Sequence, residues 1–465
     1  MPHEPLNLNV DRRVFIKGLG YVSAGLFLAT LGGCESCVEQ IKNRPVRRRL
    51  RTGSAEVDAA IATYKNAVAA MKALPASNPR SWSAQAAIHG SSTAFNFCHH
   101  GTVHFFSWHR AYLVYFERIC QELTGDKSFG LPYWNWNQNP QLHSAFTDAG
   151  SPLFHPRFTT TVAGVFDFSN TNLNNIFSDT NFFTFSDQLE GSPHNTAHTW
   201  IGGDMGSTGS AVDPLFWAHH CMIDYCWAKW NIEMDNDNTN DGAWNGTSWD
   251  HFVDGQGNQA SATAGATTLM PLISYQYESS TIGSNLAMKA AIAARDFKKI
   301  EERVRRGADV RFDVKQRVRI ADQARLTLAR PLSLAMPVAP RDFAAIVESD
   351  RATERVFASI EWAQMPPTND FFVRVFINLP GANIQTPTTD PHFAGSFAFF
   401  GTHHGKTDFL VNVTDTLKRI GANAGSNLSV QLVAVPVTGS FARPDVEIVL
   451  EKIDLIVTPV LVRTE

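Results

Sequence analysis

The chain has 465 residues, with 40 Lys and Arg against 44 Asp and Glu, a formal charge of −4, 44% hydrophobic residues and 18% charged ones. That length asks for two or three domains rather than one core; the composition excludes a disordered chain, and the balanced charge excludes a surface built for nucleic acid. Eleven of the 16 histidines fall between residues 89 and 220, which singles out one region for chemistry.

From the N-terminus, Asp11-Arg12-Arg13-Val14-Phe15-Ile16-Lys17 precedes a weakly apolar run from Gly18 to Gly33. The run is shorter than the ~20 residues a bilayer span needs. Paired arginines before such a run resemble a twin-arginine export signal, so residues 1–33 are set aside as a leader. Leu31-Gly32-Gly33-Cys34 resembles a lipoprotein cleavage box, which implies membrane attachment through a lipidated Cys34. The rival readings of Cys34 are a disulfide with Cys37 or removal with the leader. Residues 34–53, with five arginines between Arg44 and Arg51, are expected to be a solvated basic linker that can touch anionic head groups beside an anchor. The expected location is the periplasm or cell envelope, or the medium.

A helical domain is expected over residues 54–285. Val57, Ile61, Tyr64, Val68 and Met71 repeat at helical spacing over 54–74 behind a Ser54 cap. A second helix runs from His109 to Leu123 and stops at Gly125; a third starts at the cap and first-turn pair Asp213-Pro214 and continues to about Glu233. Residues 137–190, rich in Asn, Thr, Ser, Gly and Phe, and the similar residues 234–284 are expected as large surface loops. Residues 286–312 read as a helical, basic linker. From 313 to 465 the period changes to two, as in Phe371-Phe372-Val373-Arg374-Val375-Phe376-Ile377, which predicts a β-sandwich. The fold class is therefore α+β: a mainly helical core, a four-helix bundle with large loops, plus a C-terminal β-sandwich.

Two histidine groups stand out. The first is Cys98-His99-His100-Gly101, His104 and Trp108-His109-Arg110; the second is His194-Asn195-Thr196-Ala197-His198 and His219-His220. Positions i and i+4 of a helix lie one above the other, so His194 and His198 can face one point. His219 and His220 diverge by about 100°, so only one of them can join. Zinc enzymes with an HExxH motif and di-iron bundles with Glu-x-x-His pairs are not matched. Imidazole-only ligation suits copper, and two three-histidine copper sites face to face are an arrangement that binds dioxygen.

These residues carry a resemblance. His89-Gly90, Cys98-His99-His100 and Trp108-His109-Arg110-Ala111-Tyr112-Leu113 resemble the copper A region of the tyrosinase and polyphenol oxidase family. His194-Asn195-Thr196-Ala197-His198-Thr199-Trp200 and Asp213-Pro214-Leu215-Phe216-Trp217-Ala218-His219-His220 resemble its copper B region. The resemblance covers residues 55–235; a weaker one, at Phe371 to Asn378 and from Phe393 onward, is to the C-terminal domain of latent plant-type polyphenol oxidases. Only eleven residues precede the arginine pair, too few for a transit peptide, which points to a bacterial protein.

The resemblance implies two copper ions, copper A on His89, His100 and His109 and copper B on His194, His198 and His220. His89, eleven residues before His100, is the least typical in spacing. His99, His104 and His219 are read as non-ligands, at the surface, packing a loop or behind a ligand. Cys98, two before His100, stands where fungal relatives form a thioether with the ligand ring. Glu190, four before His194, stands where relatives hold a water, with Asn195 as its partner. Asp224 would support a ligand ring or pair with Arg110. The implied reaction uses O2 to hydroxylate a monophenol and to oxidise o-diphenols to o-quinones, with phenolic small molecules as substrates. No bulky aromatic is visible in Gly202–Ser210, where plant catechol oxidases place one over copper A, which together with Asn195 favours monophenol hydroxylation. The C-terminal domain is expected to keep the enzyme latent through Phe399 or Phe400. The alternatives are a catechol or o-aminophenol oxidase without monophenolase activity and, remotely, a dioxygen carrier. Oligomeric state is not legible.

Overall fold

The helical spacing of the first predicted segment becomes α1 (Ala55–Ala73), which buries Val57, Ile61, Tyr64, Val68 and Met71. The structure, a computed structural model, describes residues 43–278 except 235 and 240, then 314–335, 346, 354–400, 408–422, 428–437 and 443–459. The leader with its arginine pair, Cys34, and the stretch 286–312 lie outside the described residues. After α1, the Ser81 hydroxyl accepts the Ala84 N–H and starts α2 (Trp82–His89). The central helix α3 (Phe105–Thr124) is buried on nearly every side and ends at Gly125, whose φ of +72° suits a left-handed helix stop.

Two short helices, α4 (Asn170–Phe177) and α5 (Phe182–Leu189), lie within the segment expected to be loop. Their shortness hides them. Ser169 and Asn181 cap their first turns, and Leu173, Ile176, Phe182, Phe185 and Leu189 are buried, with Phe177 and Phe183 partly so. An irregular turn, Glu190–His194, then leads into α6 (Asn195–Ile201). Asp213 caps α7 (Pro214–Ala228) by accepting the Leu215 N–H at 2.8 Å. Helices α3 and α7 meet where the Phe116 and Trp217 rings stack. The second expected loop contains a hairpin of Ser248–Val253 with Gln259–Thr263.

The basic stretch before α1 is not a solvated linker in its described part. Val46–Arg47 pairs in parallel with Gln276–Tyr277, and Arg47 is fully buried. Its guanidinium reaches Glu117 at 2.9 Å and Asp224 at 3.0 Å and lies 3.5 Å over the Tyr275 ring. Buried acids offer this arginine more than water does once Tyr275 supplies a face. The segment straps the start of the helical domain to its end.

The C-terminal region is the expected sandwich. One sheet orders Asp408–Asn412, Glu354–Trp362, Glu447–Pro459 and Gln316–Thr327; the other orders Leu332–Ala335, Ser429–Pro436, Phe371–Ile377 and Phe393–Ala398, all antiparallel. Val356, Ala358 and Ile360 from one sheet meet Val373, Val375 and Leu432 from the other in a single core. The alternate residues of Phe371–Ile377 are buried as well. Phe372 packs with Ala398, Val437 and Trp200 of α6, and Phe376 packs with Phe393, which meets Phe166. One face of this sheet therefore fills the sandwich and the other seats on the helical domain. That contact aims the end of Phe393–Ala398 at the histidines.

Candidate metal centre

Six histidines meet between α2, α3, α6 and α7, and all are at least 97% buried. His89 closes α2, and the chain turns back on itself immediately: Gly90 bridges to Phe95, and Asn96 N–H donates to His89 O at 2.9 Å. This tight return explains how eleven residues suffice between His89 and His100, whose Nε2 atoms lie 3.1 Å apart. Gly90 is required there because a Cβ would sit 2.5 Å from Thr208 O. Thr208 in turn accepts from His89 Nδ1 at 3.1 Å. His109, on the first turns of α3, donates through Nδ1 to Phe105 O at 2.8 Å, and its ring lies 4.8 Å from that of His100.

The second group is built the same way. His194 Nδ1 donates to Asn195 Oδ1 at 2.9 Å and His198 Nδ1 to Met205 O at 2.7 Å. Both Nε2 atoms lie 3.3 Å from His220 Nε2. His219 is also buried, and one of its ring nitrogens falls within 4.8 Å of ligand atoms of His194 and His198. Its Nδ1, however, accepts the Trp136 indole N–H at 3.3 Å, and it does not share the close approach of His220. The His109 and His220 rings stack at 4.4 Å, so the two groups face each other.

Four of the rings thus spend their one N–H outward on an acceptor at Nδ1, which leaves Nε2 as a bare lone pair. His109 Nε2 has no hydrogen-bond partner, and His194 and His198 aim theirs at His220. His220 Nε2 has at most one hydrogen to offer these two lone pairs, so the three nitrogens are not satisfied by hydrogen bonding alone and are arranged to share a cation. Burial holds the set neutral: it draws His194 down to about 3 against its bond to Asn195, and it puts His100, His109, His198 and His220 well below the usual imidazole range, helped by their neighbours. Six neutral, deprotonated, buried nitrogens in two groups of three fit a pair of copper ions, with no carboxylate among the donors.

The other predicted residues divide. Glu190 is buried; its Oε1 accepts the Gly101 N–H at 2.6 Å and stands 3.5 Å from His100 Nδ1. Asn195 donates its amide N–H to Ala398 O at 2.9 Å, across the domain boundary. Cys98 Sγ is buried and lies within 4.8 Å of ring nitrogens of His89 and His100; burial and then Glu190 push its thiol pKa well up. Asp224 is not hydrogen-bonded to a ligand ring. It takes Arg110 at 2.5 Å, Arg47, and the hydroxyls of Tyr275 and Tyr277. Burial alone would raise its carboxyl, but Arg110 and Arg47 outweigh burial and hold it below the usual range. Arg110 lies 3.4 Å over the Trp227 ring. His99 accepts from Trp249 at 2.9 Å and His104 stacks on Trp244, so both pack the Ser248–Thr263 hairpin side.

Of the two expected plug residues, only one reaches the centre. Phe400 lies over His198 at 3.9 Å and 19°, with the His100 and His194 rings at 5.2 and 5.7 Å. Phe399 points the other way, into the sandwich core between Trp362, Phe371 and Phe409, as strand alternation demands. Sequence reasoning missed Phe95, which stacks on His100 at 4.7 Å and 15° and meets Phe400 edge-on at 5.8 Å. Its only signal was its place between His89 and Cys98.

Residues 79–166 and 155–233 match the common central domain of tyrosinase, and residues 339–455 match the chloroplastic polyphenol oxidase C-terminal domain. Among curated proteins, the chain is 32% identical over 253 residues to (+)-larreatricin hydroxylase of Larrea tridentata, covering 42% of this chain and 43% of that one. It is 30% identical over 251 residues to a tyrosinase of Hahella sp. (strain CCB-MM4), covering 40% and 54%. The chain spans about half the length of the curated relatives it matches. Among solved structures, a recombinantly expressed latent aurone synthase (polyphenol oxidase) superposes with a TM-score of 0.62 at 19% identity, over 90% of both chains. That likeness shows a shared fold for both domains.

Proposed function

The chain belongs to the tyrosinase family and carries a C-terminal domain of the plant polyphenol oxidase kind; from that premise we propose that it oxidises phenols with dioxygen, hydroxylating monophenols and converting o-diphenols to o-quinones, and that its own C-terminal domain keeps it latent. The observation that carries the reading is the pair of neutral three-histidine groups facing each other with an aromatic ring seated on His198. His89, His100 and His109 would hold one copper and His194, His198 and His220 the other. Bound there, copper supplies the binding and reduction of dioxygen.

The protein's own groups handle the substrate. Moving a proton from a phenol near pKa 10 to a carboxylate near 4.3 is uphill by roughly 8 kcal/mol, so the base must be held in place and the phenol acidified at the centre. Glu190, fixed by the Gly101 N–H, and Asn195 are the pair that would orient a water for that proton. In the latent chain the Asn195 amide is engaged by Ala398 and the ring position by Phe400. Displacing the segment frees both. A thioether between Cys98 and His100, whose Sγ and ring nitrogen stand within 4.8 Å of each other, would show as a cross-linked peptide in mass spectrometry.

A second reading, oxidation of catechols or o-aminophenols alone, is favoured by one observation. The Gly202–Ser210 loop lacks a bulky aromatic, but Phe95 covers His100 from another part of the chain. The Arg12-Arg13 leader and Cys34 support export to the cell envelope of a bacterium, with attachment by lipid. The test of the main reading is copper content together with turnover of tyrosine, tyramine and catechol by Phe400→Gly in the full chain. Two coppers per chain and all three substrates oxidised is the expected result. Catechol alone selects the second reading, and no turnover with two coppers bound overturns both.

A further inference from the structure

Among the described residues, three tryptophans donate the indole N–H to an imidazole: Trp108 to His251 Nε2 at 2.8 Å, Trp249 to His99 Nε2 at 2.9 Å and Trp136 to His219 Nδ1 at 3.3 Å. An indole can only donate. An imidazole can keep the proton it is offered, which the backbone carbonyls that accept from Trp82, Trp134 and Trp200 cannot. Trp108 combines this partner with a place beside the histidine centre and a way out of the core. It is fully buried on α3, with its ring 4.9 Å from that of His109 and 6.3 Å from that of His89. From there the rings run outward: Tyr112 at 4.9 Å, Trp217 of α7 a further 4.6 Å, and Trp82 at the start of α2 6.3 Å beyond. Each step is within the contact range of packed rings. Trp82 is the outermost, 9% exposed where the other three are at 1% or less, and Lys72 Nζ stands 5.6 Å over its ring.

The intermediate rings have no base. Tyr112 gives its hydroxyl to Gln85 O, and Trp217 Nε1 has no acceptor, so neither can shed a proton on losing an electron. They pass charge and do not store it. Packing alone asks for aromatic contacts but not for a base on Trp108, and His251 arrives from the Ser248–Thr263 hairpin, 143 residues away. Burial keeps His251 neutral, drawing it down to about 4; an oxidised indole is acid enough to protonate it.

Resting on the dicopper reading above, we propose that Trp108, Tyr112, Trp217 and Trp82 form an electron relay through which the loaded centre oxidises a small anionic one-electron donor at the surface, with Trp82 as the exit. An oxidant that reaches the centre with no phenol seated would otherwise draw electrons from the ligand rings. The oxidant is hydrogen peroxide. Trp108 passes one electron to the loaded centre and its Nε1 proton to His251 Nε2. Trp82 restores that electron through Trp217 and Tyr112, His251 returns the proton, and the donor outside restores Trp82. Two such passages, with two protons from solvent, break the O–O bond and reduce one peroxide to two waters while two donors each lose one electron.

The experiment uses the full-length, copper-loaded chain with Phe400 in place, hydrogen peroxide as oxidant and ferrocyanide as donor. The expected result is ferricyanide formation that needs copper and peroxide and is lost in Trp82→Phe. Without ferrocyanide, a spin trap should form its covalent adduct on the peptide containing Trp82, read by mass spectrometry. Trp82→Phe should leave catechol turnover in a Phe400→Gly background unchanged. His251→Gln still accepts the indole N–H but cannot take the proton, and should slow ferricyanide formation about a hundredfold with copper content unchanged. Ferrocyanide oxidised equally by Trp82→Phe, or adducts that avoid Trp82, overturns the relay and leaves the phenol-oxidase reading intact where Phe400→Gly oxidises catechol. An unchanged rate in His251→Gln overturns the proton's destination, and loss of catechol turnover in Trp82→Phe reduces Trp82 to a packing role. A chain that holds no copper overturns both readings together.

Discussion

The two histidine groups carry equivalent donors on unlike supports. The first is drawn from a helix end, a loop and the start of α3, and it is tied down by backbone within its own domain: Thr208 O on His89 and Phe105 O on His109. The second sits on α6 and α7, and its helix α6 is touched by the C-terminal domain through Asn195, Thr199 and the ring over His198. The donors are thus shared evenly between the groups, whereas the hydrogen bonds that the C-terminal domain makes to a ligand-bearing helix fall on α6, even though the Phe400 ring meets both groups.

The sharpest way to break that symmetry is to remove one ligand from each side. His109→Ala and His220→Ala should each leave about one copper per chain and cut catechol oxidation by roughly a thousandfold or more, checked by metal analysis and oxygen uptake. Unequal losses would show that one group works alone. Next in size is Glu190→Gln, expected to lower turnover of monophenols by about a hundredfold while both coppers stay bound. A fall in copper content instead would assign Glu190 to fixing the His100 loop. Phe95→Ala should raise the ratio of tyrosine to catechol turnover about threefold to tenfold in a Phe400→Gly background, and an unchanged ratio would remove Phe95 from selectivity. The smallest effect is expected at the domain boundary. Ser396→Ala deprives buried Asp167 of one hydroxyl and should cost about 1–2 kcal/mol, read as a lower melting temperature or as a lower denaturant midpoint.

Much of this was legible in the residue pattern. His194 and His198 stand one helical turn apart, His109 lies on the predicted second helix, and the Asp213-Pro214 start positions His220. The alternation of Phe371–Ile377 announced a sandwich strand. What was misread has definite causes. Helices α4 and α5 are short, and their Ser169 and Asn181 caps look like loop residues until their apolar sides find a core. The Arg44–Arg51 stretch looks solvated by composition, yet Arg47 is buried because Glu117 and Asp224, 70 and 177 residues away, converge on it. Phe399 and Phe400 are adjacent and chemically equal, and only the register of their strand sends one to the sandwich and the other to the histidines.

The order of residues by itself marked two histidine groups, with His194 and His198 one helical turn apart and able to face one point; the division into two sets of three came from the family resemblance. The order of residues also determined the change from a period of 3.6 to a period of two, and so the presence of two domains. Only the tertiary structure decided which acceptor holds each Nδ1, that Phe95 covers His100, and that Ala398 and Phe399 offer their carbonyls to α6. Those contacts join residues up to 203 positions apart in the chain. No local preference encodes them; they arise from two cores burying their apolar faces against each other.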